Sequence, residues 1–300
     1  MNTANRIKSY FKTSMKKKCP VFFAVVQNIK RPFNPIIHWL IFGSVGYDSI
    51  LVKMSYVKSI LFPSLPSRYS RMKTLKDIHK GQKIFIAATG PSLTAEDLDM
   101  LKGHLSMGVN SIPMSYDKTE WRPDYYVIID SVAAENVINN MGESYDLWHS
   151  IDPSHIIVPH YFRRFFDLPE EVMLCRYWGS NVKISDFRFS DDCYLRVFDG
   201  STVVFTCLQL AVYMGCSEIY LLGVDCNYTG SNDHAFGFNV GEQVNRIQRD
   251  KGAEIAYRMT CAYQVAKKYA DAHGVKIFNA TRGGKLEVFP RISLEEALKD

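Results

Sequence analysis

Short apolar runs separated by polar turns recur along this chain at spacings that suit alternating strands and helices. Lys83 to Ala88 (KIFIAA) is almost continuously apolar, as a strand buried on both faces of a parallel sheet would be. Thr89, Gly90, Pro91, Ser92 and Leu93 then turn the chain, and Thr94 stands as a helix N-cap with Asp97 three residues on. Further strands are expected at Leu105–Asn110, Asp124–Asp130, His155–Pro159, Glu218–Gly223 and Val275–Phe278. Helices are expected at Ser131–Asn139, Ser201–Met214 and Glu254–His273, the second apolar nearly all round and therefore buried. Residues 161–198 mix apolar fragments such as Val172–Cys175 with Arg-rich and aromatic pieces and read as an insertion or lid. The alternation predicts an α/β fold: a doubly wound, mainly parallel Rossmann-like sheet over residues 81–300, with ligands beyond the carboxyl ends of its strands.

Residues 1–80 break this pattern. Lys8, Lys12, Lys16, Lys17, Lys18, Lys30 and Arg31 alternate with apolar stretches such as Val21–Val26 and Ile36–Phe42, interrupted by Pro20, Pro32 and Pro35. No run reaches the roughly 18–20 apolar residues that span a bilayer. Two readings stand: a helical segment on an anionic membrane face, or helices packed on the core with solvated lysines. The net charge of +5 gathers largely in this stretch, so composition does not suggest a nucleic-acid-binding domain. The seven cysteines form no CxxC pair, which argues against a zinc ribbon or disulfide framework and for a reducing cytoplasm.

Polar residues collect at the strand ends. Thr89 and Ser92 follow the first strand, Asn110 the second, Asp130 the third, His160 the fourth, Asp225, Asn227, Tyr228 and His234 the next, and Asn279 and Thr281 the last. The turn after the first strand, entering a helix, is a generic anion site, and Gly90 lets a phosphate approach its backbone. A valine at Gly90 is accordingly expected to block the ligand and spare the fold. His234 lies in a Gly/Ser/Asn loop and could take a proton from a hydroxyl. Asp130 and Asp225 could together hold a divalent cation, since Mg²⁺ accepts one or two carboxylates plus substrate phosphates; both could equally be helix caps. Cys226 has no adjacent base, and Ser92 lacks a GxSxG elbow.

GPSL at Gly90–Leu93, the strand-end Asn110 in MGVNS and EIYLLGVD at Glu218–Asp225 resemble, in this order, two related groups. One is the glycosyltransferase family 42 sialyltransferases of bacterial surface glycans. The other is the MptE-like domain, shared by 6-hydroxymethylpterin diphosphokinases and by motility accessory factors that glycosylate flagellin. The C-terminal GVKIFNATRGGKLEVFPR is similar to MptE-like proteins of polysaccharide loci. The sialyltransferase resemblance implies donor contacts from Thr89, Gly90, Pro91, Ser92, Asn110, Asp130, Gly200, Ser201 and Asn279. It implies catalytic roles for Asp225, for Tyr228 on the leaving phosphate, and for His234 as base or as a second phosphate partner. Thr89 and Asp130 stand where that family has asparagines, and an aspartate suits a metal–nucleotide complex.

The expectation that follows is a cytoplasmic, peripheral inner-face glycosyltransferase. It would use a CMP-sialic-acid-like donor and a glycan or lipid-linked acceptor, with no required cofactor, no nucleic acid and self-association left open. The alternatives are a Mg-ATP diphosphokinase using Asp130 and Asp225, and a non-catalytic nucleotide-binding scaffold.

Overall fold

The computed structural model describes Ser55, Leu61 and residues 67–142, 145–179, 182–228, 234–238 and 242–299, with backbone alone at 242–245. The basic N-terminal stretch lies outside these residues. Among the described residues no helix is long and apolar enough to cross a membrane. One compact unit runs from Tyr56 to Asp300. It takes in residues expected to belong to the N-terminal segment, because Tyr69, Met72 and Leu75 are buried in the sheet's own core.

Seven strands form the main sheet: β1 (Lys83–Ala87), β2 (Ser106–Val109), β3 (Tyr125–Val127), β4 (Ile156–Pro159), β5 (Met173–Cys175), β8 (Glu218–Leu222) and β9 (Lys276–Asn279). Their order is β5-β4-β3-β2-β1-β8-β9, and every pairing is parallel. The stretch read as an insertion therefore supplies the edge strand β5. It also supplies β6 (Tyr177–Trp178), which pairs with β7 (Val197–Phe198) in a separate two-stranded ladder. β1 is central because Ile84, Phe85, Ile86 and Ala87 are all apolar and all buried. Phe85, Tyr220 and Phe278 stack across three neighbouring strands, with centroids 5.1 and 5.2 Å apart. Each such pair contributes about 0.5–1.5 kcal/mol beyond its buried area and fixes the β1–β8–β9 register.

Among the described residues the sheet is accompanied by α1 (Ala95–Met100), α2 (Ser131–Met141), α3 (Val203–Tyr213), α4 (Glu242–Ala272) and α5 (Leu294–Ala297). Thr94 caps α1 in a reciprocal capping box with Asp97, as its sequence spacing predicts. α3 buries ten of its 11 residues. α4 is 31 residues long and begins twelve residues before the predicted start. Its first turns are polar, and Gly252 interrupts them. That glycine is needed where it stands, because a Cβ would lie 2.5 Å from the Tyr228 carbonyl oxygen.

His160, just after β4, is a structural histidine. Its Nδ1 is buried without a hydrogen-bond partner. Burial above all, with the charges of Arg68 and Arg176, lowers its pKa from 6.5 to about 4. The folded protein thus holds His160 neutral while the unfolded chain protonates it. Its stabilising contribution is complete above pH 6.5 and is lost as the pH falls towards 4, about 3 kcal/mol in all. Urea midpoints should fall across that window, and His160→Gln should flatten the slope by close to one proton. An unchanged slope in that variant would assign the acid sensitivity to other groups.

Candidate functional site

The chain leaves β1 towards β2 on one side and receives β8 on the other, so the β1/β8 boundary is the topological switch point. In open parallel sheets the crevice outside the strand ends at such a point is where ligands bind. The strand-end residues converge there. Ala88 N–H donates to the Leu222 carbonyl at 2.9 Å and Gly90 N–H to the Gly223 carbonyl at 2.8 Å, which zips the turn after β1 to the end of β8.

This turn already holds an anion of the protein's own. Ser92 Oγ donates to Asp225 Oδ2 at 2.8 Å, with Ser92 N–H further off at 3.5 Å. A Cβ on Gly90 would come within 2.9 Å of the Asp225 carboxyl carbon and nearer still to Oδ2. The space expected for a phosphate is therefore filled by the Asp225 carboxylate. Burial, the largest influence, holds that carboxyl above its ordinary range, and the Ser92 hydrogen bonds oppose it. The helix-dipole expectation is also corrected. α1 has six residues, and the reciprocal bonds between Thr94 and Asp97 use its first donors. Arg282 is ion-paired to the same Asp97 from the loop after β9. Pro91 is exposed, whereas Thr89 is buried.

Asn110, ending β2, has φ 46° and a buried Oδ1 without a partner. Its backbone carbonyl accepts the Tyr126 hydroxyl at 2.5 Å. Asp130 is exposed and caps α2, accepting Val132 N–H at 2.8 Å. Three strand steps separate the ends of β8 and β3, about 14 Å at the usual strand spacing. One Mg²⁺, which needs its ligands at about 2.1 Å, does not bridge Asp130 and Asp225. The shared-metal expectation fails on that geometry.

After β8 the chain folds back over the turn. Cys226 takes φ 50° and is buried, with its thiol pushed up to about 12 by burial, which excludes it as a nucleophile near neutral pH. Tyr228 packs on α4, its hydroxyl donating to Met259 Sδ at 3.3 Å. Ala235 N–H donates to the Thr89 carbonyl at 2.9 Å, so His234 lies one residue from a direct tether to the β1 turn. His234 Nε2 is 3.2 Å from Gln248 Nε2, and its ring packs edge-on against Phe238. Gln248 is buried and its Oε1 has no partner. A 180° rotation of the amide would offer that oxygen to an imidazole N–H, so Gln248 can serve either tautomer. Phe236, at φ 59°, completes the loop, and Lys118 donates to its carbonyl at 3.4 Å.

Gly200 and Ser201 follow β7 and lead into α3. Ser201 has φ 62° and accepts from Arg258 Nε of α4 at 3.3 Å. Asn279 has a different role from the donor contact expected. It is 1% exposed, its Nδ2 donates to the Leu286 carbonyl at 2.8 Å, and its Oδ1 accepts Thr281 N–H at 3.0 Å. Both ends of the amide hold the C-terminal loop. That loop, stapled by Arg291 to the carbonyls of Thr281 and Gly283, donates Lys285 N–H to the Asp225 carbonyl at 2.7 Å.

Four of the five non-glycine residues with positive φ among those described, Asn110, Ser201, Cys226 and Phe236, belong to the segments at this carboxyl edge. Such conformations cost about 1–3 kcal/mol each and concentrate at functional sites. Sequence reasoning missed Asp199, Lys118, Gln248 and Arg258. For Asp199 the available signal was its place directly before the Gly-Ser that opens the buried helix.

Fold and site together define a Rossmann-like α/β protein whose β1 and β8 strand-end residues meet at the switch point. The chain belongs to the MptE-like family: the model described as 6-hydroxymethylpterin diphosphokinase MptE-like matches residues 61–231. No curated protein gives a significant match. Among solved structures, the sialyltransferase CstII from Campylobacter jejuni, in complex with a substrate analogue, cytidine-5'-monophosphate, is similar at 15% identity. The match covers 74% of this chain and 88% of that one, with a TM-score of 0.39.

Proposed function

We propose that this protein transfers a sugar from a nucleotide-activated donor to an acceptor hydroxyl in bacterial surface-glycan assembly. The observation that carries the reading is the Ala235–Thr89 tether, which holds His234 beside the Ser92–Asp225 turn at the switch point. On this reading the His234 imidazole is the donor on the side where a nucleotide phosphate would leave, and Ser92 Oγ and the Tyr228 hydroxyl join it only by giving up Asp225 and Met259. The strand-end Asn110, with its unpartnered Oδ1, is suited to the nucleoside.

A second reading, a Mg-ATP diphosphotransferase, is favoured by the carboxylate standing in the turn. Among the described residues no group of three or more His, Cys, Asp or Glu could hold a metal ion. Asp225 with Ser92 would nonetheless suit a cation whose remaining ligands are substrate phosphates. In that role the cation would neutralise phosphate charge.

Asp225→Asn separates the two readings by the sign of its effect. If the donor phosphate enters without a cation, Asp225 repels it, and the asparagine should tighten cytidine monophosphate binding by about tenfold, or about 1.4 kcal/mol. Wild-type affinity should then also rise as the pH falls and Asp225 protonates. Chelation by EDTA should change nothing. Calorimetry that shows Mg-dependent ATP binding, abolished by Asp225→Asn, would replace sugar transfer with diphosphoryl transfer.

A further inference from the structure

The segment Asp199–Thr202 is held from several directions at once. One buried side chain, Gln209 of α3, takes both backbone groups of Phe198: Oε1 accepts its N–H at 3.1 Å, and Nε2 donates to its carbonyl at 2.9 Å. Asp199 N–H donates to the Trp178 carbonyl at 3.0 Å. The chain then bends through Gly200, where a Cβ would lie 2.8 Å from Phe205 Cβ, and through Ser201 in the left-handed region. The bend closes on the Asp199 carboxylate, whose Oδ1 accepts Ser201 N–H at 2.7 Å and the Tyr177 hydroxyl at 3.0 Å. Both of these bonds fall on Oδ1, and the Gly200 amide also bears on the carboxylate.

The groups facing this carboxylate come from every neighbouring element. Tyr177 stands on β6. Tyr161, after β4, lies within reach of the charges of both Asp199 and Asp130. Arg258 reaches from α4 to Ser201 Oγ at 3.3 Å and to the Val182 carbonyl at 2.7 Å. Burial, the largest influence, raises the Asp199 carboxyl above its ordinary range; the Ser201 amide, the Tyr177 hydroxyl, Arg258 and the Gly200 amide oppose it. Thr202 Oγ1 lies 3.5 Å from the hydroxyl of Tyr263, a buried α4 residue that also neighbours Cys226 and Tyr228. The bend thus shares the carboxyl edge with the phosphate turn, while His234 is tethered to that turn itself.

We propose that Asp199 takes the proton of the acceptor hydroxyl during sugar transfer; this rests on the transferase reading above. The acceptor oxygen forms the new bond to the anomeric carbon as its proton passes to the Asp199 carboxylate. The bond from that carbon to the phosphate oxygen breaks, and its electron pair leaves with the nucleotide. The protonated carboxyl then returns its proton to water. A half-buried carboxylate held rigidly by Ser201, Tyr177 and the bend at Gly200, with a raised proton affinity, is suited to this task.

The test uses the full chain, with water as acceptor: hydrolysis of saturating CMP-N-acetylneuraminic acid, followed against pH. Asp199→Asn keeps an acceptor for Tyr177 and Ser201, so the fold should survive. It should lower turnover about 10²-fold or more, remove the acid limb of the pH profile, and leave cytidine monophosphate affinity within about twofold. Tyr177→Phe removes a bond that favours the charged carboxylate, so its acid limb should move to higher pH. Turnover within about threefold of wild type in Asp199→Asn, or an unmoved limb in Tyr177→Phe, overturns the assignment while sugar transfer stands. A wild-type protein that binds the nucleotide but cleaves no sugar nucleotide overturns the transferase reading, and the role of Asp199 with it.

Discussion

Replacing Gly90 by valine is expected to destabilise the protein by about 3 kcal/mol or more, at the upper end of overpacking effects, before any ligand is considered. The φ of Gly90 is not in the left-handed region; the constraint is space. A Cβ there would crowd the Asp225 carboxylate and the Gly223 carbonyl together. The Gly223 carbonyl also accepts Gly90 N–H at 2.8 Å, so it cannot retreat without breaking the bond that joins the ends of β1 and β8. Thermal unfolding should drop by several degrees for Gly90→Ala and further for Gly90→Val. Gly90→Ala combined with Asp225→Ala should recover only part of the loss, because the backbone clash remains. A valine variant with wild-type melting would mean that the two strand ends separate easily, and that the turn is free to receive a phosphate after all.

This expectation reverses the sequence-level one, and the reason is instructive. Gly90 marks a close backbone approach, and that much is legible from a glycine after an apolar strand. What approaches is a side chain 135 residues further on, and local pattern carries no such information. The same division holds elsewhere. β1, β4 and β8 are readable because strands buried on both faces must be continuously apolar. β5 is only three residues long and gives too little pattern to separate a sheet edge from an insertion. The first turns of α4 are missed because they are polar, and tolerance of Gly252 depends on Tyr228 lying against it.

The site divides along the same line. The rule that ligands gather at strand ends points to Ser92, Asp225, Thr89 and the His234 loop, and hydrogen bonds join Ser92 to Asp225 and Thr89 to Ala235. The rule does not say which strand-end groups are occupied elsewhere. Asn279 spends both ends of its amide on the loop that follows it, and Asp130 caps its helix. Asp199 escaped notice because the two-residue strand before it, β7, is held by Gln209 rather than by a long ladder and carries no alternation to find.

Truncating His234 to alanine is expected to lower turnover by about 10²-fold or more, the size of effect that follows loss of one group acting on the transition state. It should also weaken cytidine monophosphate binding by about tenfold. The second effect separates the phosphate role from the acceptor-base role that the sequence alone favours for His234. Ala235 is bonded to the carbonyl of Thr89, inside the β1 turn, so on the transferase reading His234 is expected on the phosphate side of the site. Gln248, buried on α4 and 3.2 Å from His234 Nε2, fixes the ring from behind. Gln248→Leu should therefore reproduce part of the His234→Ala defect without touching a ligand. His234→Gln, which keeps a donor, should recover part of the affinity. Asp199→Asn should give the opposite pattern, with affinity kept and turnover lost. Calorimetry with the nucleotide, run beside donor-hydrolysis rates for the same four variants, reads both quantities. If His234→Ala binds the nucleotide as well as wild type while its turnover collapses, His234 is the acceptor base, and the proton cannot be assigned to Asp199.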